Sequence, residues 1–460
     1  MSKAEMQGVA GITADSRAVR PGYLFAALPG VRADGRRFIA EAVARGAVAV
    51  LAPEGTVWPP GVPPRRLITA PDARAKLAEL AAEFFGKLPE RLVAVTGTNG
   101  KTSTVDFLRQ IFTLAGRKAA SVGTLGIIAP GHEPLGSLTT PDPVTLAQTL
   151  AELAREGVSD VAIEASSHGL DQHRLDGLRF IAAGFTNLTR DHLDYHGSME
   201  IYGAAKLRLF EALLKRGGAA RAMADLAPEI LLRMRELAAA HGQEFGLVAV
   251  ERVEPRPSGQ IVHVNGRAVE LHMPGRFQAD NAALAASLAE AVGVTDAISL
   301  LPRLTGVRGR LERALVLPNG AAAYVDYAHT PDAIARVLSA LRPHATGRLH
   351  IVFGAGGDRD PGKRPLMGAE AAKGADVVIV TDDNPRSEDP ASIRQAILAA
   401  CPGAIEVGDR RAAIAAALDG LREGDVLVVA GKGHEQGQIV KGEVIAFDDA
   451  SVIRKSGGAA

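Results

Sequence analysis

Cysteine is almost missing from this sequence. Cys401 is the only one in 460 residues, so no intrachain disulfide can brace the fold, and residues 1–7 are polar rather than leader-like. Both features point to the cytoplasm. A surplus of one charge is missing as well. Lys plus Arg and Asp plus Glu are each 52, which excludes a global basic surface for nucleic acid or anionic membrane. Any anionic ligand must therefore be held by local groups. Long hydrophobic runs are also absent: the apolar stretches are short, Ala-rich or broken by charge, well below the ~20 residues that cross a bilayer. Internal repeats and low-complexity tracts are lacking too. What is present is ordinary globular composition, 47% hydrophobic and 23% charged. At roughly 150 residues per domain, the length suggests about three domains. A monomer is expected.

The pattern along the chain is α/β. Short apolar runs at 23–28 and 47–52, then a helical pattern over 72–85, predict a small N-terminal α/β domain at 1–88. The Pro-rich segment 59–64 is a loop inside it, because proline cannot continue a central strand or a helix. Residues 89–313 form a central P-loop mononucleotide-binding domain. There, a strand-like run at 92–95 leads through a Gly-rich turn into Val105, Leu108 and Phe112 at helical spacing. Further strands at 161–163 and 182–185 each lead into polar residues. Residues 314–460 form a C-terminal Rossmann-like domain, whose runs at 349–353, 377–381 and 426–430 end in Gly- or Asp-rich loops.

Val95-Thr96-Gly97-Thr98-Asn99-Gly100-Lys101-Thr102-Ser103 follows the first central strand and opens a helix. Backbone amides and the helix N-terminus then converge on one point, where an anion can sit. Lys101 is placed to neutralise outer phosphates, and Thr102 to offer a hydroxyl to the nucleotide's Mg²⁺. The full Walker pattern requires Gly where Val95 stands, so this is a shortened relative of that motif. Glu164 ends the next strand, before Ser166, Ser167 and His168. After the third comes Thr186-Asn187-Leu188-Thr189-Arg190-Asp191-His192-Leu193-Asp194-Tyr195-His196-Gly197. One cysteine excludes structural zinc of the usual kind, and an oxygen-rich Mg²⁺ site is the better reading.

The ordered set of motifs resembles the Mur ligases of bacterial cell-wall synthesis across nearly the whole chain. It comprises Asp15-Ser16-Arg17, residues 97–103, Thr139-Thr140-Pro141, Glu164 to Leu170, 186–197, 202–206, Asp280-Asn281, Gly309-Arg310-Leu311-Glu312, 326–331, 356–365, 383–386 and 431–435. The resemblance implies a ligase that uses ATP to join meso-2,6-diaminopimelate to UDP-N-acetylmuramoyl-L-alanyl-D-glutamate through an acyl phosphate. It implies ATP contacts at Gly97, Thr98, Asn99, Gly100, Lys101, Thr102, Ser103, Asn281, Arg310 and Asp326, with Lys101, Lys206, His192 and Arg310 catalytic. It puts Mg²⁺ at Thr102, Glu164, His192 and Lys206, the lysine carrying a CO₂-derived carbamate. A carbamate turns a repelled ammonium into an anion with two oxygens for a hard cation. Without the resemblance, Lys206 reads as a solvated lysine on a helix whose apolar face is Leu207, Phe210 and Leu214.

The resemblance further implies UDP-dipeptide contacts at Ser16, Thr139, Thr140, Ser166, Gln172 and Arg174. Relatives often carry Asn just before the Thr pair; this chain has Leu138, so that substrate hydrogen bond does not carry over. Diaminopimelate contacts are implied at Arg359, Asp383, Asn384, Pro385, Arg386, Gly431 and Glu435. Lysine-adding relatives lack the arginine at the position of Arg386. Its planar fork can grip the distal carboxylate that lysine does not have. In isolation Arg386 would read as a loop arginine paired with Glu388 or Asp389. Two other classes compete: a lysine-adding or folylpolyglutamate-type ligase, against which the 383–386 signature and the Asp15-Ser16-Arg17 start argue, and a nucleotide-dependent switch or transport ATPase with no amino-acid dependence, which gives no reason for a second Rossmann-like domain with arginine-bearing loops.

Overall fold

The structure, a computed structural model, describes residues 5–30, 33–132, 139–256 and 258–458. The chain divides into two compact units. One comprises Met1–Val248 with Leu284–Ala297, and the other Ala249–Ala283 with Ile298–Ala460.

The first unit carries two sheets. Gly11–Thr13, Tyr23–Ala26, Ala49–Pro53 and Arg66–Ala70 pair in that order, all parallel. Residues 59–64 loop between the last two strands, as their prolines require. Asp72 starts the helix Ala73–Phe85 by accepting from the Arg74 and Ala75 amides.

In the seven-stranded sheet Arg91–Thr96 lies between Phe180–Phe185 and Asp160–Glu164, parallel to both. These three strands are buried almost end to end, which is why their sequences are continuous apolar runs rather than alternating ones. Their carboxyl ends are neighbours, so the loops at 97, 165 and 186 open at one edge of the sheet. That adjacency is the topological basis of the site.

The second unit holds a six-stranded sheet. Glu312–Val316 runs antiparallel to Ala322–Asp326, followed by Val426–Ala430, Leu349–Phe353, Val377–Val380 and Ile405–Glu406 in parallel. Its core packs Tyr324, Leu349, Ile351 and Phe353 against Ile334, Leu338 and Leu341. A three-stranded antiparallel sheet (Arg252–Arg256, Gly259–Val264, Arg267–Leu271) and a hairpin (Gly437–Val440, Glu443–Ala446) complete the unit. Neither was foreseen from the sequence. No helix among the described residues is long and apolar enough to cross a membrane.

Candidate active site

The glycine turn begins at Gly97, with φ 137°, and ends at Gly100, with φ 83°, which precedes the helix Lys101–Leu114. Both angles lie where a side chain is strained. A Cβ on Gly97 would also overlap Thr186 Oγ1. Gly97→Ala is therefore expected to cost about 1–3 kcal/mol of stability and to raise the KM for ATP; denaturant unfolding and steady-state kinetics check both.

The loop at 186–189 braces this turn. Thr98 N donates to Asn187 O (2.8 Å), Asn99 N to Asn187 Oδ1 (3.0 Å), and Thr186 Oγ1 to Asn99 O (2.6 Å). Thr98 Oγ1 donates to Thr189 O at 3.1 Å. The sequence reading took 186–197 as a histidine and aspartate site and missed Thr186, Asn187 and Thr189 as its scaffold. Lys101 Nζ donates to the carbonyls of Gly97 (3.0 Å) and Thr98 (2.8 Å), folded over its own loop.

Glu164 is buried at its strand end and bonds Thr102, while accepting from Thr124 N (2.8 Å) and Thr124 Oγ1 (3.2 Å). Burial pushes its carboxyl above the usual range, against the opposing pull of Lys101.

Lys206 sits in the helix Met199–Arg208 and is only 1% exposed. The solvated-lysine reading is therefore overturned. Its helix packs against the short helix Ser167–Asp171 and turns Lys206 inward, where Nζ donates to Gly97 O (2.7 Å) and lies 4.3 Å from the Tyr202 ring. Burial, reinforced by the charge of Lys101, lowers the lysine pKa from 10.5 to about 6. Leu207 and Phe210 are buried as the apolar face requires, but Leu214 begins the strand Leu214–Met223.

His192 takes the left-handed conformation (φ 50°) and is exposed, its ring 4.9 Å from His168 and 6.3 Å from Tyr202. The predicted set thus gathers as Thr102 with Glu164 and Lys206 with Gly97. His192 approaches this set through Tyr202, whose hydroxyl donates to Thr98 Oγ1 at 3.2 Å. Among the described residues no group of three or more His, Cys, Asp or Glu is arranged to hold a metal.

A cavity of about 470 Å³ opens in the same unit, lined by Thr13, Asp15, Arg74, Asp142, Gln172 and Arg174 among others. Arg174 donates to Thr140 O (2.7 Å) and to Gln172 Oε1 (2.7 Å), and Thr140 Oγ1 bonds Ser166 Oγ (2.9 Å). Thr124 Oγ1 donates to Thr139 Oγ1 at 3.1 Å. Four of the six predicted substrate residues, Thr140, Ser166, Gln172 and Arg174, therefore share one network. Ser16 does not join it and donates to Glu41 Oε2 (3.0 Å) instead. Arg74 and Asp142 were missed: Asp142 has only a helix-cap signature, accepting from Val144 and Thr145, and Arg74 has none. Leu138 lies outside the described residues.

In the second unit Asn281, Arg310 and Asp326 come together through residues the sequence did not flag. Asn281 Nδ2 donates to Gln278 Oε1 (3.3 Å), Gln278 Nε2 to Arg310 O (3.1 Å), and Leu311 N to Asp326 Oδ2 (2.8 Å). Asn281 lies inside the helix Arg276–Ala291. The Arg310 guanidinium stands 5.2 Å from the Tyr327 ring, and its buried Nε finds no hydrogen-bond partner among the described residues, which suits it to an anion.

Across the same sheet edge, Asn384 Nδ2 donates to Glu435 Oε2 at 2.9 Å. A Cβ on Gly431 would meet Asp383 Oδ2 at 2.5 Å, so the two loops touch there. Arg386 adopts φ 52° and is pinned by the hairpin. Its N–H donates to Ile439 O (3.0 Å), and its carbonyl accepts from Lys441 N (2.7 Å). Its Nη1 donates to Gly357 O at 2.7 Å. Glu388 pairs with Arg364, and Asp389 caps the helix Pro390–Leu398 by accepting from Ser392 N, so neither is engaged with Arg386 as the surface-pair reading requires. Arg359 is exposed beside Gly356.

A phosphate-loop unit of this kind, with a Rossmann-like sheet carrying an arginine-bearing pocket, defines a nucleotide-dependent α/β enzyme. Comparison with known proteins narrows the class. The Mur ligase family catalytic domain matches residues 8–85, the Mur ligase middle domain 95–289, and the Mur ligase glutamate ligase domain 309–433. A UDP-N-acetylmuramoyl-L-alanyl-D-glutamate–2,6-diaminopimelate ligase of Caulobacter vibrioides is 55% identical, covering 96% of this chain and 94% of that protein. The ligase of the same name from Rhizobium meliloti is 52% identical over 98% and 94%. A solved structure of a ligase so named is 33% identical, with a TM-score of 0.75, covering 98% of this chain and 95% of that one. This chain belongs to the Mur ligase family.

Proposed function

We propose that this enzyme ligates meso-2,6-diaminopimelate to UDP-N-acetylmuramoyl-L-alanyl-D-glutamate at the expense of ATP, in the cytoplasm, where a lone buried thiol such as Cys401 stays reduced. The observation that carries the substrate assignment is the Asp383-Asn384-Pro385-Arg386 loop, in which Asn384 bonds Glu435 and Arg386 is locked by Gly357 O and the hairpin. Relatives bearing that activity in their names, at 50–55% identity, support it.

In this reading the D-glutamyl γ-carboxylate attacks the γ-phosphorus of ATP, ADP leaves, and an acyl phosphate forms. The diaminopimelate amine, having lost a proton, attacks the acyl carbon and phosphate departs, leaving an amide. The chain's part is positioning and charge: loop amides and Lys101 for the phosphates, Arg310 with its spare donor for the transferring group, and the network at Thr140, Ser166, Gln172 and Arg174 for the dipeptide. Mg²⁺ fits the oxygen donors Thr102 and Glu164, a hard and sparse set that leaves room for waters, with His192 nearby. When bound it would neutralise phosphate charge. Lys206, mostly neutral at pH 7, is in the form that reacts with CO₂: the amine lone pair bonds the carbon, a proton is released, and the carbamate remains.

The test is phosphate release from ATP in the presence of the muramoyl dipeptide precursor, with meso-diaminopimelate or L-lysine as second substrate. Diaminopimelate is expected to drive turnover. A preference for lysine, or release independent of either amino acid, would overturn the proposal.

A further inference from the structure

Lys432 is 0% exposed, and no role has been given to it. It lies between Gly431 (φ 115°) and Gly433 (φ 54°), whose left-handed angles turn the chain so that the lysine side chain enters the protein while Glu435 stays 35% exposed. Its Nζ donates to Asn384 Oδ1 (2.9 Å) and to Glu435 Oε2 (3.3 Å). Asn384 Oδ1 also accepts from Ile439 N (2.9 Å), and Asn384 Nδ2 donates to the same Glu435 oxygen. Every bond in this ring runs one way. With two donors on Oδ1, the Asn384 amide can present its NH₂ group only toward Glu435.

We infer that Lys432 is a positioning residue for the amino-acid substrate: from behind the pocket it fixes the Asn384 amide and holds the Glu435 carboxylate aimed at a substrate ammonium. Without this donor, Asn384 Oδ1 keeps only the Ile439 amide and Glu435 Oε2 only the Asn384 amide, so neither group is held in a single orientation toward the substrate. The inference rests on the proposed amino-acid pocket, and its test separates the two.

Lys432→Met, Glu435→Gln and the double variant are made in the full chain, and the KM for meso-diaminopimelate, ATP and the UDP-dipeptide is measured for each, with thermal unfolding. Losing hydrogen bonds to a charged group should raise the diaminopimelate KM about ten- to a hundredfold in each single variant, with the other two KM values unchanged. The double variant should lose no more than the worse single one, since both act through one network. Lys432→Gln, whose amide can still donate to Asn384, should recover part of the loss. If Glu435→Gln raises the diaminopimelate KM and Lys432→Met does not, the role of Lys432 is refuted while the pocket stands. If neither changes it, the pocket reading itself fails. A Lys432→Met protein that unfolds, or that loses affinity for all three substrates alike, has lost a structural lysine, and that also refutes the inference.

Discussion

Lys206→Met should lower turnover by roughly a hundredfold or more, the scale for losing a preorganised charge at a reacting centre, while making the CO₂-free protein more stable. The two effects have one cause. Lys206 is buried beside Lys101, and its pKa falls from 10.5 to about 6, so folding at pH 7 must strip a proton that the unfolded chain retains. That costs on the order of 5 kcal/mol, which Met does not incur. Between pH 6 and 10.5 the unfolded state binds the extra proton, so the wild-type protein gains stability as pH rises through that window. The advantage of the Met variant should be greatest near pH 6 and should fade toward 10.5. Denaturant unfolding from pH 6.5 to 9.5 in CO₂-free buffer measures it. Equal pH slopes for the two proteins would remove the neutral-lysine account. Added ¹³C-bicarbonate should give a carbamate carbon signal in the wild type that the variant lacks; its absence from both would end the carbamate proposal.

Arg386→Ala carries the second large expectation. Truncating one member of a buried charge pair costs about 2 to 5 kcal/mol, so the KM for meso-diaminopimelate should rise by more than an order of magnitude. Preference over L-lysine should shrink with it, because lysine never supplied the distal carboxylate. Arg386→Lys should recover little: an ammonium keeps the charge but not the planar fork, and Nη1 is already committed to Gly357 O. Because Arg386 is left-handed, Arg386→Gly separates side chain from backbone. It relieves the strain at φ 52° yet should lose affinity as Ala does. A diaminopimelate KM unchanged in all three would sink the clamp.

Much of this architecture was readable because it is local. The run at 92–95, the glycines at 97 and 100 and the helical repeat of Val105, Leu108 and Phe112 specify strand, turn and helix within about twenty residues, and the structure has Arg91–Thr96 and Lys101–Leu114 there. The runs at 349–353 and 426–430 are strands with those very bounds. The meander at Arg252–Arg256, Gly259–Val264 and Arg267–Leu271 escaped notice because its strands are half polar, and a surface sheet leaves only a weak apolar period. The substrate residues were legible as motifs only through resemblance. Thr140, Ser166 and Arg174 have no local pattern that joins them.

The sequence by itself determined the α/β class, the phosphate loop and the acidic strand end at Glu164, since each follows from neighbouring residues and their periodicity. The tertiary structure alone decided the state of the charged groups. Lys206 meets Gly97 across 109 positions, Thr186 meets Asn99 across 87, and Lys432 meets Asn384 across 48. Whether a lysine is a solvated cation, a neutral nucleophile or a buried brace depends on the water removed around it and the charges brought near, and only the folded chain sets both.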